Sequence, residues 1–570
     1  MLKRPKPRFL MLSVSLVAML MLILSACGGA SSSSSSSSST STGTPVKGGT
    51  WTDDLYEEPD SLIPNGSSET FSDLVDNTIY APLFLGNASG QITPGIVTEL
   101  PTTANGGISA DLKTWTFHLK PGLKWSDGQP LTAQDVDYTW KLWTNPKFTP
   151  ASTTGFNLIT GSTVSSDNLS ITFHLSQPFS PFLSIWADGI NAPMPAHIFS
   201  SIAPDKILTS SQNLFPKVAS GPFMLSESVP GDHYTVVRNP NYYQAAQGLP
   251  YLDKIVFRVV TNQDTILKDF QAGTIDSAYF LDVSKFLAYQ RLAPTYAIYT
   301  NPHASNFEAM YFDFHNPILG SHPAVRKAIA MAIDHNALIQ VARRGYAVPL
   351  CTDHGQAYVP GYQANAPCPA YDVAAANTML DQDGWTVKDQ NGIRSNASGQ
   401  RLEFKYSTTA NNIWRADDEL LLQQQLQAIG VKLDIQNYPA STFFGTFLNG
   451  GKSGVYDIAE FEDSFPYDAD DYALEACSQI PPNGSNFSFY CNHQLDALYT
   501  QEESTFNASA RQQAFDQIHQ IYLTQFPFIT LYSPTDVSVN KNVTHNYAPG
   551  PEGAAETVGV MNWWCTNGQC

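Results

Sequence analysis

The sequence predicts an α/β protein of two or three domains, and three observations predict it. Alternating apolar and polar runs bounded by turn residues read as strands. Amphipathic runs that stop at glycine and pass into strand-like runs read as helix–strand units. About 520 residues follow a low-complexity N-terminal tract, more than one hydrophobic core accommodates. No internal repeat of solenoid or propeller length is visible.

The N-terminus comes first. Lys3, Arg4, Lys6 and Arg8 precede the apolar stretch Phe9–Ala26, and "LSAC" (Leu24–Cys27) places small residues before a cysteine. This is the pattern of an export signal. It resembles the bacterial lipoprotein box, in which the signal (residues 1–26) is cut away and Cys27 receives lipid. An uncleaved signal anchor is the alternative, because the apolar run is long. Residues 27–47 are serine-rich and cannot offset their own ordering entropy. Such a tract is a coil spanning on the order of 20 Å. The expectation is a membrane tether, with the rest of the chain on the extracellular face of the cell membrane, or in the periplasm if an outer membrane is present.

Beyond the tether, "TWTFHLKPGLKWSDGQPLT" (Thr114–Thr132) alternates around Pro121-Gly122 and Asp127-Gly128 turns, and "LSITFHLSQPF" (Leu169–Phe179) repeats the strand pattern. Val136, Trp140 and Trp143 give Ala133–Trp143 helical spacing. Trp115, Trp125 and Trp140 are expected in a core. Leu252–Val260 reads as a strand and Gln263–Gly273 as a helix ending at glycine. His322–Ala342 reads as one amphipathic helix. Asp417–Tyr438 reads as helix, glycine stop and strand, and Ala510–Ser533 as helix then strand.

The formal net charge is -20, which argues against nucleic acid, since a phosphate binder needs a basic face. Apart from Cys27, the cysteines fall as Cys351 with Cys368, Cys477 with Cys491, and Cys565 with Cys570. Neighbour pairing as disulfides is the reading taken among the several the sequence permits, and it agrees with export. No CxxC or HxxxH spacing supports zinc, and "DADDYALE" (Asp468–Glu475) lacks the glycine and the final glutamate of a calcium loop. GxSxG, the phosphate loop and HExxH are absent. No enzyme, cofactor or metal is expected.

Five segments in order carry a resemblance. "PGLKWSDGQPLTAQDVDYTW" (Pro121–Trp140), "SGPFMLSESVPGDHYTVVRNPNYY" (Ser220–Tyr243), "LDKIVFRVVTNQDTILKDFQAGTID" (Leu252–Asp276), "HPAVRKAIAMAIDHNALI" (His322–Ile339) and "SNFSFYCNHQLDALY" (Ser485–Tyr499) resemble the family 5 extracellular solute-binding proteins, the peptide and nickel receptors of ABC importers. The resemblance implies a periplasmic-binding-protein type II clamshell: two lobes, a two-crossing hinge and a small α+β domain inserted in the first lobe. The expected organisation is lobe I over 48–90, the inserted domain over 91–215, lobe I again over 216–305, lobe II over 306–528 and a lobe I return over 529–570.

By analogy the ligand, a short peptide or other small solute, meets Ser68, Glu69 and Thr70 on the first lobe. On the second it meets the loop "YDIAEFEDSFPYDADDYAL" (Tyr456–Leu474). There Glu460 stands where the oligopeptide receptor carries an arginine. Glu460, Glu462, Asp463 and Asp468 are expected to form an acidic wall, with Tyr438, Phe461 and Phe465 as aromatic neighbours. The implied partners are the permease subunits of an ABC transporter, with the receptor itself a monomer. The alternative is a membrane-anchored sensor that presents an amine, cation or oligosaccharide to a signalling partner.

Overall fold

Two mixed sheets organise the chain, and the polypeptide crosses between them twice. The computed structural model describes residues 43–67, 69–86, 91–187, 189–301, 306–351, 369–439, 442–448, 455–464, 468, 472–481, 484–549 and 555–570. The expected signal, Cys27 and nearly all of the expected tether lie outside the described residues, as do Ser68, Cys368 and Phe465.

The first sheet has seven strands in the order Tyr296–Asn301, Asp536–Lys541, Ser277–Ala278, Thr50–Leu55, Lys254–Val259, His233–Arg238 and Phe223–Val229. Thr50–Leu55 pairs in parallel with Lys254–Val259. Parallel neighbours require a long crossover, and this one carries a small three-stranded antiparallel sheet of Thr114–His118, Ser170–Leu175 and Ile159–Val164. Trp115, Trp125 and Trp140 are buried in the core beside that sheet, as expected, together with Phe117, Phe173 and Trp186. Its helix Ala133–Trp143 begins at a capping box in which Thr132 and Asp135 satisfy each other's backbone donors.

The second sheet has six strands in the order Ala347–Val348, Phe528–Pro534, Asn306–Phe312, Ile458–Ser464, Glu403–Ser407 and Lys432–Ile435. Helix Ile413–Gln427 precedes Lys432–Ile435, with Gly430 at φ 77° making the turn that a side chain disfavours. The single helix expected over His322–Ala342 is two, Pro323–Ala332 and His335–Val341. Ile333 turns extended, and Asp334 caps the second helix by accepting from the Ala337 amide.

The first crossing joins Asn301 to Asn306, and the second passes through Thr535. The return to the first sheet therefore comes six residues later than the expected 529. Tyr311 opposes Phe528 and Glu308 opposes Tyr532, so the whole Phe528–Pro534 strand is held in the second sheet. Cys477–Cys491 and Cys565–Cys570 are disulfides, and Cys351 is also disulfide-bonded. Among the described residues no helix is long and apolar enough to cross a membrane.

Candidate functional site

The strands nearest the crossings carry charge where a core strand carries apolar residues. Alternation puts Asn306, Glu308 and Met310 on one face of their strand and Phe307, Ala309 and Tyr311 on the other. The antiparallel register sets Glu308 opposite Glu462 and Met310 opposite Glu460. Like charges directly opposed are unfavourable, and the helix Ile413–Gln427 answers them. Its first turn holds Arg415, whose Nε donates to Glu308 Oε1 at 2.9 Å and whose Nη1 donates to Thr409 Oγ1 at 2.7 Å. A guanidinium at a helix N-terminus opposes the macrodipole, so the carboxylates hold it there. Burial alone would lower the Arg415 pKa, but Glu308, Glu462 and Glu460 lift it above its usual value.

Each remaining acid accepts from a hydroxyl or an amide through one oxygen. Tyr532 donates to Asp418, Tyr406 donates to Glu460, and Asn306 Nδ2 donates to Glu462 at 2.8 Å. From the first lobe, Tyr279 donates to Asp536 at 2.9 Å, and Asp536 lies 3.5 Å from Asn306 Nδ2 across the hinge. Burial is the main cause that raises the pKa of each of these carboxyls. It raises Asp418 and Glu460, the latter helped by Asp418 and Glu308. It lifts Glu462 to about 8, with Asp536 and Glu308 adding to the effect and Arg343 and Arg415 opposing it. Asp536 is lifted to about 6. Glu57, just past the first strand of lobe I, is raised by burial and drawn back by Arg415 of lobe II, so the two lobes share one electrostatic network.

Arg343 lies 5.0 Å from the Trp414 ring and 5.8 Å from that of Tyr532, cation–π distances. Buried polar atoms in this region without a hydrogen-bond partner among the described residues include Arg343 Nε, Trp414 Nε1, Asn306 Oδ1, Asp536 Oδ1, Asp418 Oδ1 and Glu460 Oε1. Buried polar atoms are nearly always paired, so these mark places where a ligand or water completes the set. Two small clefts elsewhere, one beside Tyr80, Tyr242 and Met561 and one beside His335, Tyr522 and Phe526, carry no carboxylate.

The expected wall is only partly assembled. Glu460 is fully buried and bonded to Tyr406, so it does not reach a ligand surface. The expectation failed because alternation fixes which residues share its face, not that helix Ile413–Gln427 covers it. Asp468 is taken up by a two-pronged pair with Arg511, itself bonded to Glu502. Phe461 is core, stacked 4.4 Å from Tyr311. Tyr438 is half-buried against Phe447 at 4.5 Å. Asp463 is half-buried on the Phe461 face, beside Tyr311. Glu69 caps its own helix, accepting from the Phe71 and Ser72 amides at 2.9 and 2.8 Å, and Thr70 is that helix's first residue. Burial, with Glu57 nearby, lifts Glu69 to about 8 against the pull of those two amide bonds. Of the predicted wall, Glu460 and Glu462 join the junction network, and of these two only Glu462 is partly exposed. Arg343, Trp414, Arg415, Glu308 and Asp536 escaped the sequence reading. "NNIWRADDEL" (Asn411–Leu420), an aromatic and an arginine at a capped helix start, was the available signal for two of them.

The family model for bacterial extracellular solute-binding proteins, family 5, middle, matches residues 91–483. The chain belongs to this family. It is a solute-binding protein of mixed α/β periplasmic-binding-protein fold, in keeping with the expectation of binding without catalysis. It is 24% identical to the oligopeptide-binding protein AppA of Bacillus subtilis over 536 residues, covering 92% of each chain. The structure of AppA in complex with a nonapeptide superposes with a TM-score of 0.81 at 21% identity, covering 92% of this chain and 100% of that one. A probable ABC transporter-binding protein of Deinococcus radiodurans is 29% identical over 356 residues, which span 57% of this chain and 59% of that relative's length.

Proposed function

We propose that this solute-binding protein is lipid-anchored through Cys27, captures a short peptide between its lobes and delivers it to an ABC importer permease. AppA's description as an oligopeptide-binding protein supports the peptide class. The observation that carries the reading is the junction network, where Glu57, Glu308, Asp418, Glu460, Glu462 and Asp536 accompany the guanidiniums of Arg343 and Arg415. An excess of carboxyls, several holding protons, fits the amine or cationic end of a ligand. A bound cation favours the ionised acid, so capture releases protons.

Calorimetry tests this with amidated and free-acid forms of the same cationic peptide, each in two buffers of different ionisation enthalpy. The amide should bind at least about tenfold tighter, a difference of about 1.4 kcal/mol, with proton release seen as a buffer-dependent heat. Equal affinity of the two forms with no buffer dependence overturns the reading.

A further inference from the structure

The first lobe holds a second set of buried oxygen atoms, distant in role from the junction. Three adjacent strands each contribute one residue to a single row: the register sets Asp53 beside Ser277 and Ser277 beside Asn540. Cross-strand partners present their side chains on one face, and neighbouring strands lie about 4.8 Å apart. Asp53 and Asn540 thus flank Ser277 at one strand spacing on either side. Glu556, from the C-terminal segment, reaches the same row. Its Oε1 accepts from Ser277 Oγ at 3.2 Å and also from the Tyr547 hydroxyl.

Asp53 and Ser277 are 0% exposed, and Asn540 and Glu556 are 1% exposed. Yet neither oxygen of Asp53, nor Oε2 of Glu556, nor either amide atom of Asn540 has a hydrogen-bond partner among the described residues. The charged groups that act most strongly on Asp53 are Glu556, Asp54 and Asp276, all acidic. Lys541 follows Asn540, so alternation turns it to the opposite face. There it pairs with Asp276 and the Cys570 carbonyl.

Two buried carboxyls with no basic partner can be ionised only beside a compensating charge, and the amide of Asn540 needs a partner of its own. We propose that this row is a calcium site, with Asp53, Glu556 and Asn540 Oδ1 as ligands and Ser277 Oγ within reach. The donor set is all oxygen, with no thiolate or imidazole, which suits a hard cation rather than zinc or copper. Calcium accepts carboxylate, amide and hydroxyl oxygens at about 2.3–2.6 Å in adaptable geometry, whereas magnesium demands a near-ideal octahedron. Two carboxylates neutralise its charge. The ion would fasten the C-terminal segment carrying Tyr547 and Glu556 to the centre of the seven-stranded sheet.

The test uses the mature full-length chain, purified without chelator. Elemental analysis after dialysis should find calcium near stoichiometric, and a chelator should lower the unfolding midpoint while added calcium restores it. Terbium should show luminescence excited through nearby Tyr547, Trp51 and Trp563, competed away by calcium. Asp53→Asn and Glu556→Gln should each weaken calcium affinity by at least about tenfold, while Asp111→Asn, an exposed change in the inserted domain, should not. If the variants do not fold, the chelator response and terbium competition on the unaltered chain still decide. Absence of bound calcium, terbium signal and midpoint shift overturns the site. So does a midpoint that moves with pH alone, because the carboxyls would then be holding protons and water.

Discussion

Replacing Glu462 with glutamine isolates the junction's electrostatics in one change. The Glu462 carboxyl is raised from 4.5 to about 8, by burial first and then by Asp536 and Glu308. The folded protein therefore binds this proton more tightly than the unfolded chain does. The stability tied to that difference is whole below about pH 4.5 and is lost as pH rises through about 8. At about 1.4 kcal/mol per pKa unit the ceiling is about 5 kcal/mol. The side chain is only half-buried and shares its proton affinity with Asp536, so an effect on the order of 2 kcal/mol is expected. Glutamine keeps a carbonyl oxygen for the bond from Asn306 Nδ2 but cannot ionise. The variant should match the parent near pH 5 and exceed it by about 2 kcal/mol near pH 8. Urea unfolding followed by tryptophan fluorescence across that range measures the difference through the midpoint and slope. A difference that does not change with pH, or a variant that weakens as pH rises, refutes the reasoning.

Removing Arg415 should be far more damaging. Arg415→Met leaves Glu308 buried and unpaired, a loss of about 3–5 kcal/mol, and Arg415→Lys should recover only part of it, because lysine lacks the fork that reaches both Glu308 and Thr409. Chemical unfolding of both variants checks this, and a loss below about 1 kcal/mol for Arg415→Met would contradict the buried-pair account. Glu460→Arg should prevent folding rather than alter ligand choice, since the new charge would sit among the groups around Tyr406. Soluble, folded Glu460→Arg protein with a changed peptide preference would place that side chain in the cleft after all. Cys27→Ser should abolish acylation, and a mature variant that still partitions into detergent would exclude the lipid anchor.

Much of the fold was legible because local chemistry announced it. Thr132 and Asp135 spelled the capping box, glycine at 273 and 430 ended helices, and the tryptophans of the inserted domain were core by size and apolarity. The five family segments supplied the two-lobed architecture that composition and periodicity alone left open. The split of His322–Ala342 was harder to read, because Asp334 is both an acceptable helix residue and a good cap.

The site was less legible for a physical reason. Alternation told that Glu460 and Glu462 share a face of their strand, and that Phe461 and Asp463 share the other. It did not tell which face a helix covers, or how far along the strand that cover extends. Glu460 lies under helix Ile413–Gln427, while Glu462, one step nearer the crossing, meets Asn306 and Asp536.

By itself, the sequence determined the α/β class, several element boundaries and the family resemblance, and it led to the expectation of export and a tether. Class and boundaries depend on periodicity, capping and turn chemistry, which act within a few residues of one another, whereas the family came from the five resembling segments. Only the tertiary structure decided that Arg415 answers Glu308 from 107 positions away. It alone showed that the chain returns to the first sheet at Thr535, and that Asp53, Ser277, Asn540 and Glu556 converge beneath the C-terminal segment. Burial and strand register set the charge state and company of each acid, and both are properties of the assembled sheets.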